Sequence, residues 1–213
     1  MVDDFIEAIS KPQLPGMHNP WSQSCVLEAD PAGYVARRER LKRHLECPSP
    51  QLLLIGEAPG YQGCRYSGVA FTSERQLLAG TIPRMSDLQG QRITTSRLSR
   101  TEPSATIVWG ALHEHGLAEH AVMFNAVPWH PEGPEGPESN RTPSPDEKAL
   151  GASFLRMFLD LFEGVPVLAL GGTASHSLNN IGVAHTKLRH PANGGATLFR
   201  EGLAAFVEST RGN

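Results

Sequence analysis

The sequence predicts an α/β fold, a three-layer α/β/α sandwich around a central, mainly parallel four-stranded sheet. Two kinds of segment, and the way they alternate, predict this fold class. Short apolar segments typical of buried strands alternate along the chain with segments whose apolar residues recur at helical spacing. No internal repeat or second domain is evident in the 213 residues. We therefore expect a single domain over 1–213, with an N-terminal helical arm at 1–50 and a core at 51–213.

The first half of the chain predicts three helices and one strand. Residues 2–10 form an amphipathic helix, and 11–28 read as an irregular arm. Asp30-Pro31 provides a capping acid and a first-turn proline, so a helix follows to about Leu45. Its outer face, with Arg37, Arg38, Arg40, Lys42 and Arg43, is predicted to be solvated. The first strand covers 52–55 and a short helix covers 74–78, whereas 79–101 has no clear pattern.

The second half predicts the remaining strands and helices. A helix over 103–116 is closed by Gly116 and leads to the second strand at 121–127. Residues 128–145 are rich in proline and read as an extended loop. A helix at 146–162, a strand at 165–170, a helix from Thr173, a strand at 183–188 and a helix at 196–210 complete the order.

Composition narrows the class of protein without naming a function. The formal net charge of -3 does not indicate nucleic acid, although a local basic face is what binds phosphate. No apolar run has the length of a membrane span, and the acidic start is no signal peptide. The three cysteines are odd in number and form no Cys-x-x-Cys pair, so we expect free thiols in a cytoplasmic setting.

The most informative segment follows the first strand, where Gly56-Glu57-Ala58-Pro59-Gly60 opens into a glycine-rich loop that ends at Phe71. Ligands of open α/β sheets bind beyond the carboxyl ends of the strands. One acid on this turn and an aromatic nearby suggest a pocket for a flat ligand such as a nucleotide base. Glu57 suits the orientation of a water molecule, although a lone Glu is more often a capping or ion-paired acid. The loop matches neither the dinucleotide nor the Walker spacing.

Two further polar residues follow other strands. Asn125 ends an apolar run, and its amide can donate and accept side by side, as the polar edge of a pyrimidine requires; an Asn that ties down a loop is an equal alternative. His190 precedes Pro191, which holds it in extended backbone just past the fourth strand. It suits hydrogen bonding to a charged leaving group, although a His-Pro pair alone is more often a turn. No histidine spacing indicates zinc.

Together, Glu57, Asn125 and His190 resemble the uracil-DNA glycosylase superfamily, closest to the branch whose first motif is GEAPG. The resemblance runs from about Leu52 to Phe206. It includes Asn140-Arg141-Thr142-Pro143 and the segment LALGGT at 168–173. It implies a monofunctional DNA glycosylase that flips a nucleotide from DNA, hydrolyses the bond between deoxyribose and base, and leaves an abasic site.

The resemblance also implies roles for residues. Glu57 would position the attacking water, Asn125 would read the base, and His190 would stabilise the departing base. The base would bind among Gly56, Ala58, Pro59, Gly60, Tyr61 and Phe71. Contacts with DNA phosphates and the opening of the DNA helix would involve Arg189, Asn193, Gly194, Lys187, Gly172 and Thr173. Arg65 is expected near the same edge of the sheet. No partner subunit is needed to complete the site, so we expect a monomer that binds DNA containing uracil or another deaminated base.

Three departures from that branch qualify the resemblance. Its iron–sulfur cluster uses four cysteines, one of them where this chain has Trp129, so no cluster or other cofactor is expected. The second motif reads HPANGG, which leaves Asn193 and Arg189 as candidates for the residue that wedges into DNA. Gly60 stands where strictly uracil-specific relatives have tyrosine, so other deaminated or 5-substituted bases could enter. Two alternatives remain: a DNA-binding protein of this fold with little turnover, and a hydrolase of free nucleotides.

Overall fold

The computed structural model describes residues 1–24, 27–88, 92–95 and 99–211. Its elements in chain order are α1 (Val2–Ser10), β1 (Met17–His18), α2 (Gly33–Leu45), β2 (Leu52–Gly56), α3 (Cys64–Ser67), α4 (Glu74–Leu78), a 3-10 turn (Ser86–Leu88), α5 (Pro103–Glu114), β3 (Ala121–Asn125), β4 (His130–Gly133), β5 (Gly136–Asn140), α6 (Pro145–Asp160), β6 (Val167–Leu170), α7 (Gly172–Asn180), β7 (Thr186–Leu188) and α8 (Ala196–Arg211). Strands β3, β2, β6 and β7 form one parallel sheet in that order, which confirms the predicted fold class.

The sheet is covered on both faces because its strands are apolar throughout. Successive side chains of a strand point to opposite faces. Leu52 and Leu54 pack with α5 and α8, whereas Leu53 and Ile55 pack with α1, α2, α6 and α7. On the second face the rings of Phe124 and Phe158 stack at 4.7 Å. This arrangement gives the predicted three layers.

The strand register brings the carboxyl ends of β2 and β3 level. Gly56 pairs with Asn125 across the two strands, and the next amides continue the contact, since Ala126 N donates to Gly56 O at 2.9 Å and Val127 N to Glu57 O at 2.9 Å. The loops after β2, β3 and β7 therefore leave the sheet at one edge.

The prediction of an extended loop without strands over 128–145 is wrong. Strands β4 and β5 form an antiparallel pair there, and β1 from the N-terminal arm joins it, with Met17 opposite Pro131 and His18 opposite His130. The strands were not predicted because this segment is rich in proline. A proline has no backbone N–H to donate to a neighbouring strand, so its presence argues against a strand. This small three-stranded sheet fixes the arm against the core.

The prediction that the outer face of α2 is solvated is wrong for Arg37 and Arg40, which are both 0 % exposed. Arg37 pairs with Glu28, and Arg40 donates to the Tyr66 carbonyl oxygen at 3.3 Å. Arg65, expected near DNA, is also buried and pairs with Glu132 at 2.7 Å. Sequence periodicity places a residue on a helix face but does not show which segment covers that face.

Within the described ranges, no helix combines the length and apolarity needed to cross a membrane. Cys47 and Cys64 are free and buried, and Cys25 lies outside the described residues.

Candidate active site

A cavity of about 780 Å³ lies at the carboxyl edge of the parallel sheet. The loop after β2 contributes Glu57 and Phe71 to its wall, the last residue of β3 contributes Asn125, and the loop after β7 contributes His190. The sequence assigned these four residues to a single pocket, and the structure brings them together.

The turn that carries Glu57 is fixed by its backbone. Besides the Val127 amide that binds the Glu57 carbonyl, the His130 side chain contacts Pro59, with Nδ1 2.8 Å from the Pro59 carbonyl oxygen. The Oε1 atom of Glu57 is shielded from solvent and has no hydrogen-bond partner in the described part of the chain. A rigid carboxylate with an unused acceptor is suited to hold a water molecule.

Gly56 allows Asn125 and Phe71 to approach each other. A Cβ atom at Gly56 would lie 2.5 Å from Asn125 Oδ1 and 2.7 Å from Phe71 Cζ. Both side chains are therefore packed against the same backbone position. Phe71 has a left-handed backbone (φ 49°), which is uncommon for a residue other than glycine and holds the ring in this place. An aromatic face and an amide edge thus meet at one corner of the cavity.

We expect Gly56→Ala to lower the free energy of unfolding by about 1–3 kcal/mol, because a methyl group would overlap Asn125 and Phe71 in a packed region. Chemical denaturation would measure the change. Gly60→Ala is the matched control in the same turn, since a Cβ at Gly60 meets nothing within 4 Å. Equal stability of the two variants would contradict this packing.

His190 presents a defined proton to the cavity. Its Nδ1 accepts a hydrogen bond from the Ala192 amide at 3.1 Å, so the neutral ring carries its proton on Nε2. Burial, and then the neighbouring Arg189, lower the pKa of His190. The ring is therefore a neutral Nε2–H donor at pH 7. Its centroid lies 6.1 Å from that of Phe71.

The sequence HPANGG suits the tight loop that positions His190. Asn193 (φ 52°) and Gly194 (φ 75°) adopt left-handed backbone. A Cβ at Gly195 would lie 2.1 Å from the His190 carbonyl oxygen, so only glycine fits beneath the histidine. Asn193 and Gly194 are both exposed.

The other predicted residues lie at or near the same edge. Ala58, Pro59, Gly60 and Asn193 line the cavity. Tyr61 lies beside it, and its amide donates to Asn140 Oδ1 at 3.0 Å. The proposed DNA contacts are at the surface or partly exposed: Lys187 on β7, Arg189 after it, and Gly172 and Thr173 at the start of α7.

Sequence reasoning missed part of the cavity wall. Glu102, Ser104 and Ile107 reach it from the start of α5, which was assigned only a packing role. Arg141 also lines the cavity, and it is held by Glu147 through contacts of 2.6 and 2.7 Å. Of these four residues, only Arg141 was indicated by the sequence, because it belongs to the Asn140–Pro143 segment of the resemblance.

The residues that the structure describes do not fit an iron–sulfur cluster. Trp129, which the resemblance places where the GEAPG branch has a cluster cysteine, is 1 % exposed. Its indole N–H donates to the Ile9 carbonyl oxygen at 2.9 Å, and its ring packs edge-on against Phe154 at 5.1 Å. The indole thus occupies the space between α1 and α6. Across the described ranges, no group of three or more His, Cys, Asp or Glu residues is placed to hold a metal ion.

Comparisons with known proteins agree with this architecture. The crystal structure of wild-type SMUG2 from Pedobacter heparinus superposes with a TM-score of 0.70 at 15% sequence identity, covering 100% of this chain and 98% of that chain. That likeness establishes the fold. None of the curated protein sequences compared with the chain matches it. A model of the Uracil DNA glycosylase superfamily matches residues 44–208, which hold all four strands of the parallel sheet and the three loops of the cavity. Since this match spans well over half of the sequence, the chain belongs to the uracil DNA glycosylase superfamily, whose members are DNA glycosylases that hydrolyse N-glycosidic bonds.

Proposed function

We propose that this protein excises uracil, and other deaminated bases, from DNA in base-excision repair, leaving an abasic site. The observation that carries the proposal is the meeting of Glu57, Asn125, Phe71 and His190 in one cavity of a chain from this superfamily. Each of the four supplies a different requirement of the reaction.

Base recognition requires a flat surface and a polar edge. A flipped base would stack on Phe71, while the Asn125 amide donates to and accepts from its Watson–Crick edge. Asn125 is 5 % exposed and lines the cavity, with its Oδ1 packed close to Gly56. An amide at this position offers both a donor and an acceptor to a base in the cavity.

Bond cleavage requires stabilisation of the negative charge that develops on the base and of the positive charge that develops on the sugar. As the bond between deoxyribose C1′ and the base nitrogen breaks, its electron pair leaves with the base and positive charge develops on the sugar. The Nε2–H of His190 donates to a carbonyl oxygen of the departing base. Glu57 orients a water molecule toward C1′ and accepts its proton. The products are the free base and an abasic site.

The outer part of the edge would contact DNA. Lys187 and Arg189 are exposed cations that shortly precede the cavity residue His190 in the chain, and the amides of Gly172 and Thr173 begin a nine-residue helix. Such groups bind phosphates without reading sequence. Asn193 or Arg189 would enter the space that the flipped nucleotide leaves. We further propose that the protein is a monomer, that residues 1–213 form a single domain and that the protein is located in the cytoplasm.

The range of bases that the cavity can admit depends on the free space beside Gly60. This residue lines the cavity, and a side chain there would meet nothing within 4 Å. No group at this position excludes a substituent on the base. We therefore include 5-substituted uracils and deaminated purines among the candidate substrates.

The test is a labelled oligonucleotide with one uracil, single- or double-stranded, treated with alkali after incubation to cleave abasic sites. Strand scission at uracil supports the proposal, and its absence at stoichiometric protein overturns it. Parallel substrates with hypoxanthine, xanthine or 5-substituted uracil define the range. A persistent complex without scission would favour a DNA-binding protein, and base release from free deoxyuridine nucleotides would favour a nucleotide hydrolase.

Glu57→Ala is expected to lower the single-turnover rate by about 10²–10⁴-fold, the usual contribution of a positioned general base. DNA affinity should change little. Glu114→Ala removes an exposed carboxylate from the far end of α5 and is the matched control. Similar losses in both variants would show that Glu57 has no special role.

A further inference from the structure

A second carboxyl group, that of Glu102, lies in the wall of the same cavity. Glu102 directly precedes α5, and the cavity also contacts Pro103 and Ile107 of that helix. Its Oε2 atom is shielded from solvent and has no hydrogen-bond partner in the described part of the chain. Buried polar atoms without partners are uncommon in folded proteins and call for an explanation.

The Glu102 carboxyl is packed against the first motif loop. A Cβ atom at Gly63 would lie 1.8 Å from Glu102 Oε2, so the absence of a side chain at Gly63 makes room for the carboxyl group. Cys64 follows Gly63, and burial, together with Glu102, raises the pKa of its thiol. The Cys64 side chain is therefore a neutral neighbour.

The cation closest to Glu102 in the chain and the arginine of the cavity wall each have a partner of their own. Arg100, two residues earlier, pairs with Glu138, and Arg141 across the cavity pairs with Glu147. His190 is neutral, and the remaining charged group of the cavity wall is the Glu57 carboxyl. Burial raises the pKa of Glu102 from 4.5 to about 7. The carboxyl group is thus substantially protonated at neutral pH.

We propose that Glu102 is a further catalytic residue, which in its protonated form donates a hydrogen bond to the departing base. This inference rests on the proposed function. Negative charge builds on the base as the glycosidic bond breaks. An ionised carboxylate in the same cavity would oppose that charge, whereas a neutral acid stabilises it without giving up its proton.

The test is the single-turnover rate on the uracil oligonucleotide between pH 5 and 9. The wild-type rate is expected to fall by about tenfold or more above pH 7, as the donor is lost. Glu102→Gln keeps an N–H donor that does not titrate, so its rate should stay level over this range. Glu102→Ala should be slow at every pH.

Thermal stability supplies a readout that does not depend on activity. An acid whose pKa is raised by folding binds more protons in the folded state between about pH 4.5 and 7. The wild-type Tm should therefore fall as the pH rises through this window, relative to that of Glu102→Gln. Parallel Tm curves for the two proteins would overturn the assignment of a buried protonated acid.

Gly63→Ala tests the placement of the carboxyl independently. Its methyl group must displace the end of the Glu102 side chain, so the rate at pH 6 should fall and the alkaline decline should disappear. Gly110→Ala, on α5 with nothing within 4 Å of the new Cβ, is the control and should keep the wild-type profile.

The outcomes separate the two proposals. A wild-type protein that releases no base from any oligonucleotide overturns the proposed function and this inference with it. Efficient excision whose alkaline decline persists in Glu102→Gln, or that has no such decline, overturns the role of Glu102 alone.

Discussion

Replacing Asn125 by aspartate is expected to slow uracil excision by about 100-fold or more, the equivalent of about 2.7 kcal/mol in the transition state. The amide side chain is buried against Gly56 and Phe71 at the end of β3. An ionised aspartate keeps the shape but offers only acceptors, so the donor to the base is lost. Its charge also opposes the negative charge that develops on the departing base.

The measurement pairs single-turnover rates with DNA affinity. Affinity should change little, because phosphate contacts rather than the base edge supply most of it. Asn179→Asp makes the same change at an exposed position near the end of α7 and is the control. If Asn125→Asp weakened DNA binding as much as it slowed excision, the proposed base pocket would be misplaced.

The parallel sheet could be predicted from sequence because its strands are short and apolar throughout. Leu52–Gly56 and Ala121–Asn125 are fully buried, and a strand covered on both faces leaves a continuous apolar run. Their carboxyl ends carry Glu57 and Asn125, so the position of the cavity followed from the order of the elements. Strand bounds were less accurate, since β7 covers only Thr186–Leu188.

The third strand of the small sheet could not be predicted in this way. This strand, Met17–His18, lies more than a hundred residues before its partner β4 and has only two residues. No local pattern reports such a pairing. The contact of His130 with the Pro59 carbonyl shows its consequence for the site, because this small sheet supports the first motif turn.

Glu102 was missed for a related reason. It follows a segment without a clear pattern, and a single Glu before a helix resembles an ordinary capping residue. Its importance depends on Gly63, which contacts it from another part of the chain. Burial of a titratable side chain is a property of the folded structure rather than of its local sequence.

The same limit applies to α2, where five basic residues suggested a solvated face. Arg43 fits that description, since it pairs with Glu39 and Asp87 at the surface. Arg37 does not fit it, because Pro20, Gln23 and Glu28 from the segment before α2 lie against its side chain. Its Nη1 lies 3.0 Å from Glu28 Oε1, and both side chains are 0% exposed. Its other nitrogens donate to the carbonyl oxygens of Pro20 and Gln23.

Arg37→Met is therefore expected to lower the free energy of unfolding by about 3–5 kcal/mol, because it leaves the Glu28 carboxylate buried without its partner. Arg43→Met, on the same helix, should cost at most about 1 kcal/mol as the loss of exposed ion pairs. Urea denaturation of the three proteins would measure both changes.

The double variant Glu28→Leu/Arg37→Met distinguishes charge from packing. If the unpaired carboxylate causes the loss, removing it should restore part of the stability, since a buried ion pair can often be replaced by apolar side chains at little cost. If the hydrogen bonds from Arg37 to Pro20 and Gln23 hold the arm, the double variant should remain as unstable as Arg37→Met. Equal stability of Arg37→Met and Arg43→Met would contradict the burial of Arg37 and restore the solvated face that the sequence suggested.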